Sequence, residues 1–187
     1  MGHVRVFNFL TLNGYFKGPN QDISWHRHGG AEENEYSGEG AGSGSTLLFG
    51  RRTYKMMASY WPTPAALKSD PVVAQGMNSA EKVVFSKTLK KADWNNTRIV
   101  KGNLEKEIKR MKQAGKDMTV LGSGTIVTQL AQAGLIDEYV IMLDPVAIPS
   151  GTTLLKGMKH TVDLKLTNSR TFKSGVVLLT YQPVDNS

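Results

Sequence analysis

An apolar run that ends in glycine and turns straight into a helix restricts a chain's fold severely, and Leu47 to Tyr54 (LLFGRRTY) is such a run. Thr46 to Phe49 reads as a short buried strand, Gly50 leaves the backbone bare, and a helix over Arg52 to Tyr60 follows, opened by Arg51, Arg52 and Thr53. A strand tip, a glycine and a helix N-terminus together present unpaired N–H groups and the positive end of the helix dipole, a natural place for an anion. The two guanidinium groups beside it suit phosphate oxygens. A second glycine turn, Leu121-Gly122-Ser123-Gly124-Thr125, lies between a strand at Met118 to Leu121 and a helix at Thr125 to Ala133 ended by Gly134. Two such turns in one small chain point to a dinucleotide rather than a lone phosphate.

The rest of the chain keeps the same alternation. Val4 to Leu10 (VRVFNFL), Lys82 to Ser86, Arg98 to Val100 and Glu138 to Leu143 read as strands. Asn13-Gly14 and Gly18-Pro19-Asn20 punctuate a loop, and Pro62 and Pro64 stop the helix that ends near Tyr60. Asn103 can cap a helix whose Leu104, Ile108 and Met111 share one face, with Gly115 as its stop. Glu32, Glu33 and Glu35 suit a helix start over about 31–45, but Gly38, Gly40, Gly42 and Gly44 each weaken a helix by about 1 kcal/mol relative to alanine. That helix is therefore expected to fade in its C-terminal half. Val162 to Phe172 and Val176 to Gln182, joined by Lys173-Ser174-Gly175, read as a hairpin. Strands alternating with helices predict an α/β fold, a three-layer sandwich with a mostly parallel central sheet and an antiparallel C-terminal hairpin. No repeat or linker divides the chain, so one domain over 1–187 is expected.

Composition excludes several classes. The chain has no cysteine, which removes disulfide frameworks, thiolate zinc sites and cysteine nucleophiles and fits a reducing compartment. No apolar stretch reaches the length of a membrane span, and Met1 to Leu10 lacks the apolar core of a signal peptide, so a cytoplasmic location is expected. The net charge of +7 can help a polyanionic cofactor arrive or serve nucleic acid. The lysines are scattered, however, and aromatics are sparse from Lys82 to Lys116, which argues against a nucleic-acid surface.

In open α/β sheets ligands gather at the carboxyl ends of the strands. There Gly50 to Thr53 would offer amides, a hydroxyl and guanidinium groups to a pyrophosphate, and Gly122 to Ile126 would admit it from the other side. Ser86 and Lys87 follow directly after a strand, where a ribose phosphate could sit. Asn13-Gly14-Tyr15 closes the first strand and could cover a reactive ring, with Trp25 and Trp61 as stacking walls or rim packing. His3, His26, His28 and His160 read as solvated loop residues. His26 and His28 have no third ligand at helical spacing, so no metal site is expected.

These motifs carry a resemblance. LLFGRRTYKMMASYWP at 47–62, KVVFSKTL at 82–89, VLGSGTIVTQLAQAGLIDEYVIMLDPV at 120–146 and SRTFKSGVVLLTY at 169–181 stand in the order found in the dihydrofolate reductase superfamily. The branch they resemble is the C-terminal reductase domain of the bifunctional riboflavin-biosynthesis enzyme. The resemblance implies a dihydrofolate-reductase-like fold and an NADPH-dependent oxidoreductase, usually a homodimer, acting on a small polar or planar acceptor such as a pterin, pyrimidine or carbonyl compound. On this reading Gly50, Arg51, Arg52 and Thr53 hold the cofactor phosphates, and Ser86 and Lys87 favour NADPH over NADH. Gly122, Ser123, Gly124 and Thr125 line the pyrophosphate, with Ile126 as a cofactor wall, and Asn13, Tyr15, Trp25 and Trp61 face the substrate.

The first loop departs from the pattern. Many members read Ser-Leu-Asp-Gly where this chain has Thr11-Leu12-Asn13-Gly14, and asparagine can hydrogen-bond but cannot exchange a proton as a carboxylate does. Dihydrofolate reductases proper use a carboxylate on the following helix, so Asp22, Glu32, Glu33 and Glu35 join Asn13 as candidates. A non-catalytic nucleotide-binding protein on the same scaffold is the alternative. The strands at 138–144 and 176–181 are the expected dimer-forming edges.

Overall fold

The computed structural model describes residues 1–26, 31–41 and 43–184. The strands of the main sheet are β1 (Val4–Thr11), β3 (Thr46–Gly50), β4 (Lys82–Phe85), β5 (Thr97–Val100), β6 (Met118–Leu121), β7 (Glu138–Asp144), β9 (Leu164–Thr171) and β10 (Val177–Pro183). Their spatial order is β5-β4-β3-β6-β1-β7-β10-β9. The first six run parallel, Val6 facing Val120 on one side and Tyr139 on the other, while β10 runs antiparallel to both β7 and β9. The predicted α/β sheet with its antiparallel C-terminal hairpin is present. A separate pair, β2 (Tyr15–Lys17) with β8 (Thr152–Thr153), had no signal in the sequence beyond a loop.

Alternation along β1 explains the layering. Val4 and Val6 point into a core built with Ile108 and Met111 of α5 (Leu104–Gln113) and Val127 and Leu130 of α6 (Gly124–Gln132). Phe7 and Phe9 point to the opposite face, where they pack with Val140, Met142, Phe172 and Leu178 and with Tyr36 of α1 (Ala31–Ala41). That opposite face continues over β3 and β4 as a cluster of Leu47, Phe49, Val84 and Trp94 with Tyr54 of α2 (Arg51–Tyr60) and Met77 of α4 (Pro71–Ser79). Helices thus cover both faces of the sheet, which makes the three layers.

One expectation changes here. The glycines do not end α1 early, because it runs to Ala41 and Gly38 is buried against α4. A Cβ on Gly38 would stand 2.9 Å from Val72 Cγ1, so the residue is there for close helix packing. Gly42 lies outside the described residues. The stretch after Pro62 folds into α3 (Pro64–Ser69) and α4, each opened by a proline in its first turn. Elsewhere the signals held: Asn103 Oδ1 accepts the Lys106 amide at 2.9 Å at the start of α5, and Gly115 and Gly134 adopt φ of +73° and +62° beyond α5 and α6.

The strands expected as dimer edges are interior. β7 lies between β1 and β10, and β10 between β7 and β9. The edge on that side is β9, exposed along all eight residues. An apolar strand buried on both faces looks the same in sequence whether it is an edge or not, which is why periodicity could not place it. Among the described residues no helix is long and apolar enough to cross a membrane.

Candidate active site

A cleft of about 1850 Å³ opens at the carboxyl ends of the parallel strands. Gly50, Arg51, Arg52, Thr53, Ser86, Lys87, Gly122, Ser123, Gly124, Thr125, Ile126, Trp25 and Trp61 all line it, so residues chosen from four separate motifs converge on one wall system.

The two glycine turns are joined into one unit. Ser123 Oγ accepts the Gly50 amide at 3.0 Å and donates to the Leu121 carbonyl at 3.1 Å. Thr53 Oγ1 accepts the Ser123 amide at 3.2 Å. Ser123 itself holds φ +54°, a left-handed conformation that these bonds sustain. The bareness of the backbone here has a steric cause. Gly122 sits at φ +59° with a would-be Cβ 3.1 Å from Thr53 Cγ2, and a Cβ on Gly124 would meet Phe16 Cζ at 2.9 Å. Neither α2 nor α6 has a side-chain cap or an acidic residue in its first turn, so both N-termini keep their positive character toward the cleft.

The flanking cations are Arg51, Arg52, Lys87, Lys101 and Lys17. Arg51 Nη1 donates to Thr88 Oγ1 at 2.9 Å, which ties α2 to the loop after β4. In that loop Ser86 Oγ accepts the Thr88 and Leu89 amides at 3.2 and 2.9 Å. Lys17, from β2, comes close enough to Arg52 that burial first and the guanidinium second lower its ammonium below the ordinary lysine value. Lys17 and Lys101 had not been singled out in the sequence. The first belongs to a short strand hidden in a loop, the second to a third strand-to-helix turn that lacks a glycine-rich signature.

This donor set fits a dinucleotide phosphate. It combines two helix starts without side-chain caps and several cations lining the same cleft.

The other half of the cleft is aromatic. Phe7, Phe9, Phe16, Trp25, Tyr36 and Trp61 line it. Trp25 is nine-tenths buried, and its indole N–H has no acceptor among the described residues. His26 is not a solvated loop histidine. It lines the cleft, stacks on Phe9 with ring centroids 3.7 Å apart, and its Nδ1 stands 3.0 Å from a carboxylate oxygen of the fully buried Asp144. Sequence reading missed this pair because its members are 118 residues apart and meet only through the alignment of β7 beside β1.

Four candidates are placed elsewhere. Asn13 Nδ2 donates to the Ile148 carbonyl at 2.8 Å, and Asn13 Oδ1 accepts from Thr11 Oγ1 at 2.9 Å, so the side chain fastens its turn to the 145–153 segment instead of lining the cleft. Tyr15 pairs with Thr153 and lies against Gly151. Asp22 is solvent-exposed and accepts the Ser24 amide at 2.9 Å, which holds its carboxyl below the usual range. Glu32 is 3.8 Å from Lys173. Of the other two, Glu33 is buried and bonded to Ser174 Oγ, and Glu35 is exposed. His160 is exposed and His3 half-buried, and neither lines the cleft. His28 lies outside the described residues. Among those described, no group of three His, Asp or Glu residues is placed to hold a metal ion.

Comparison with known proteins agrees with this architecture. The chain is 28% identical over 173 residues to the uncharacterized protein YyaP of Bacillus subtilis, covering 92% of this chain and 90% of that one. A candidate riboflavin biosynthesis protein from Shewanella sp. PV-4 superposes with a TM-score of 0.75 at 20% identity, over 97% of this chain and 99% of that one. The diaminohydroxyphosphoribosylaminopyrimidine deaminase/5-amino-6-(5-phosphoribosylamino)uracil reductase of Thermotoga maritima superposes with a TM-score of 0.69 at 14% identity, over 98% of this chain but 57% of that one. The sequence profile of the RibD C-terminal domain matches residues 2–178, and with the fold in agreement the chain belongs to the RibD C-terminal domain family.

Proposed function

We propose that the protein is an NADPH-dependent reductase whose cofactor lies along the two glycine turns. The observation that carries this is the convergence of Gly50–Thr53, Ser86–Lys87 and Gly122–Ile126 on one cleft whose other half is aromatic. The amides that open α2 and α6 receive the pyrophosphate, and Arg51 and Arg52 neutralise it. Lys87 and Lys101 stand at the ends of the neighbouring strands β4 and β5, where they would take the phosphate that distinguishes NADPH from NADH. Ser123 and Thr53 act as braces, since their hydroxyl oxygens already accept the Gly50 and Ser123 amides. When bound, the dihydronicotinamide supplies a hydride. The chain's own part is to orient the two reactants and exclude water, and Phe7, Phe9, Trp25 and Trp61 provide the apolar, flat walls for that.

The chemistry of those walls favours a planar acceptor. The Arg5 guanidinium at this end of the cleft is held by Glu138 at 2.6 Å. The protein is proposed to work as a cytoplasmic homodimer.

The test is a calorimetric titration with NADPH and NADH in parallel, followed by NADPH oxidation with pterin, pyrimidine and carbonyl acceptors. Tight NADPH binding, much weaker NADH binding and an acceptor-dependent rate are expected. Binding without any acceptor-dependent rate would instead favour a nucleotide-binding protein on the same scaffold, a reading supported by the absence of a carboxylate at Asn13.

A further inference from the structure

His26 and Asp144 form a fixed pair within the aromatic half of the cleft. Asp144 ends β7 with no solvent exposure, and His26 Nδ1 lies 3.1 and 3.0 Å from its two carboxylate oxygens. The imidazole face is held by Phe9 at 3.7 Å and 27°, and the Trp25 ring stands edge-on at 6.2 Å. A carboxylate on one edge and an aromatic ring on one face set the tautomer and the orientation of the ring. Among the described residues, the elements packed against it bring Phe9 from β1, Trp25 from its own loop and Asp144 from β7, and of these Asp144 is the titratable one. The carboxylates that line the cleft, Glu39 and Asp70, are exposed and half-buried respectively, and neither is fixed by a buried partner of this kind.

We infer that His26 is the proton donor of the reaction, with Asp144 as its positioning residue, and that the acceptor is a planar C=O or C=N compound. This rests on the reductase reading above. The acceptor carbon would gain a hydride from the dihydronicotinamide, forming a C–H bond. The electron pair of the C=O or C=N bond moves to the oxygen or nitrogen, which takes a proton from His26 Nε2 to form O–H or N–H. The acceptor is reduced by two electrons, the dinucleotide is oxidised, and the neutral imidazole recovers its proton from water. Asp144 takes Nδ1, and the exchange with the acceptor is assigned to Nε2. A bound carbonyl or imine has what this arrangement needs, a basic atom beside the electrophilic carbon. An isolated C=C bond has no such atom.

The pair is tested first by nitrogen NMR on histidine-labelled protein, with and without NADP⁺. His26 is expected to carry its neutral-form proton on Nδ1 and to shift when NADP⁺ binds. In Asp144→Asn the proton preference should move to Nε2. A His26 signal that carries its proton on Nε2 in the wild type would overturn the inference. A calorimetric blank with NADP⁺ and NADPH would overturn the reductase reading and this one with it, by a readout separate from the resonance.

Kinetics supply the second arm, with a dihydropterin and phenanthrenequinone as probe acceptors. Wild-type kcat should fall as pH rises, as a step that needs a protonated donor requires. His26→Gln should lower kcat by roughly 10²- to 10⁴-fold, the usual worth of a general acid, with unchanged NADPH affinity and a flat profile. Asp144→Asn should lower kcat more than it changes KM. Variants that melt earlier yet keep the wild-type kcat and slope would show a structural pair and overturn the assignment.

Discussion

Gly50 and Ser123, 73 residues apart, are joined by a hydrogen bond from the Gly50 amide to Ser123 Oγ at 3.0 Å. Through it the end of β3 and the start of α6 hold a common geometry, so what the sequence presents as two motifs is one continuous wall of the cleft. The link predicts a double effect of Ser123→Ala. The Gly50 amide loses its acceptor in a half-buried position, which costs about 1–2 kcal/mol of stability. NADPH affinity should fall as well, although the Ser123 side chain need not touch the cofactor. Denaturant unfolding and calorimetry measure the two effects. A stability loss with unchanged affinity would place the brace outside the binding surface.

The two arginines should differ in kind. Arg51 is bonded to Thr88 Oγ1 at 2.9 Å, so it organises the loop that carries Ser86 and Lys87 as well as supplying charge. Arg52 is the group whose charge, after burial, lowers the Lys17 ammonium. Each charge-assisted hydrogen bond to phosphate is worth about 1.5–3 kcal/mol, so Arg52→Ala should weaken NADPH and NADH alike by roughly 10- to 150-fold. Arg51→Ala should in addition narrow the preference for NADPH over NADH. Parallel titrations with the two dinucleotides check this, and unchanged NADPH affinity in the double variant would sink the placement.

Much of this site was legible because it is built from local signals. Gly50, Gly122 and Gly124 mark strand-to-helix turns by their residue type alone, and the parallel sheet then carries those turns to one end of the molecule. What was not legible depends on pairing between distant elements. Asn13 and Tyr15 looked like cleft residues because they follow β1, yet the turn continues into β2 and pairs with β8, which takes both side chains toward 148–153. The His26–Asp144 pair was hidden for the converse reason. A histidine in a polar loop and an aspartate ending a strand carry no mutual signal until β1 and β7 align, with Thr11 opposite Asp144.

Acid stability should depend on Glu107. The Arg110 guanidinium foremost, with Arg98 beside it, holds this carboxyl down to about 2. Arg110 lies 2.7 Å and Arg98 2.8 Å from the same carboxylate oxygen. A carboxylate depressed in the folded state contributes stability that is fully present above its unfolded value and is lost as pH falls toward the folded one. The window is therefore from about 4.5 down to about 2. The two guanidinium groups are 42% and 62% exposed to solvent, so screening reduces the contribution to about 0.5–1 kcal/mol. Glu107→Gln should lower stability at neutral pH by that amount and make the curve flatter through the window. Urea unfolding at a series of pH values measures it, and parallel curves for the two proteins would count against the pair.

Dimerisation should run through β9. Its eight exposed residues end the sheet, and Leu164 and Leu166 are exposed apolar groups on a strand whose outer backbone edge has no neighbour in the main sheet. An edge of this length, with Lys165 and Arg170 as its charges, is a template for a second strand unless it is covered. A second copy placed by a two-fold axis would continue the sheet antiparallel and bury both leucines with their own counterparts. Sedimentation at micromolar concentration is therefore expected to give twice the chain mass of 20.5 kDa. Leu166→Lys would set like charges facing each other across the axis and should shift the protein to monomer. Its exposed position should leave the melting of the isolated chain within about 0.5 kcal/mol of wild type. A wild-type monomer at these concentrations, or a dimer indifferent to Leu166→Lys, would move the interface away from β9.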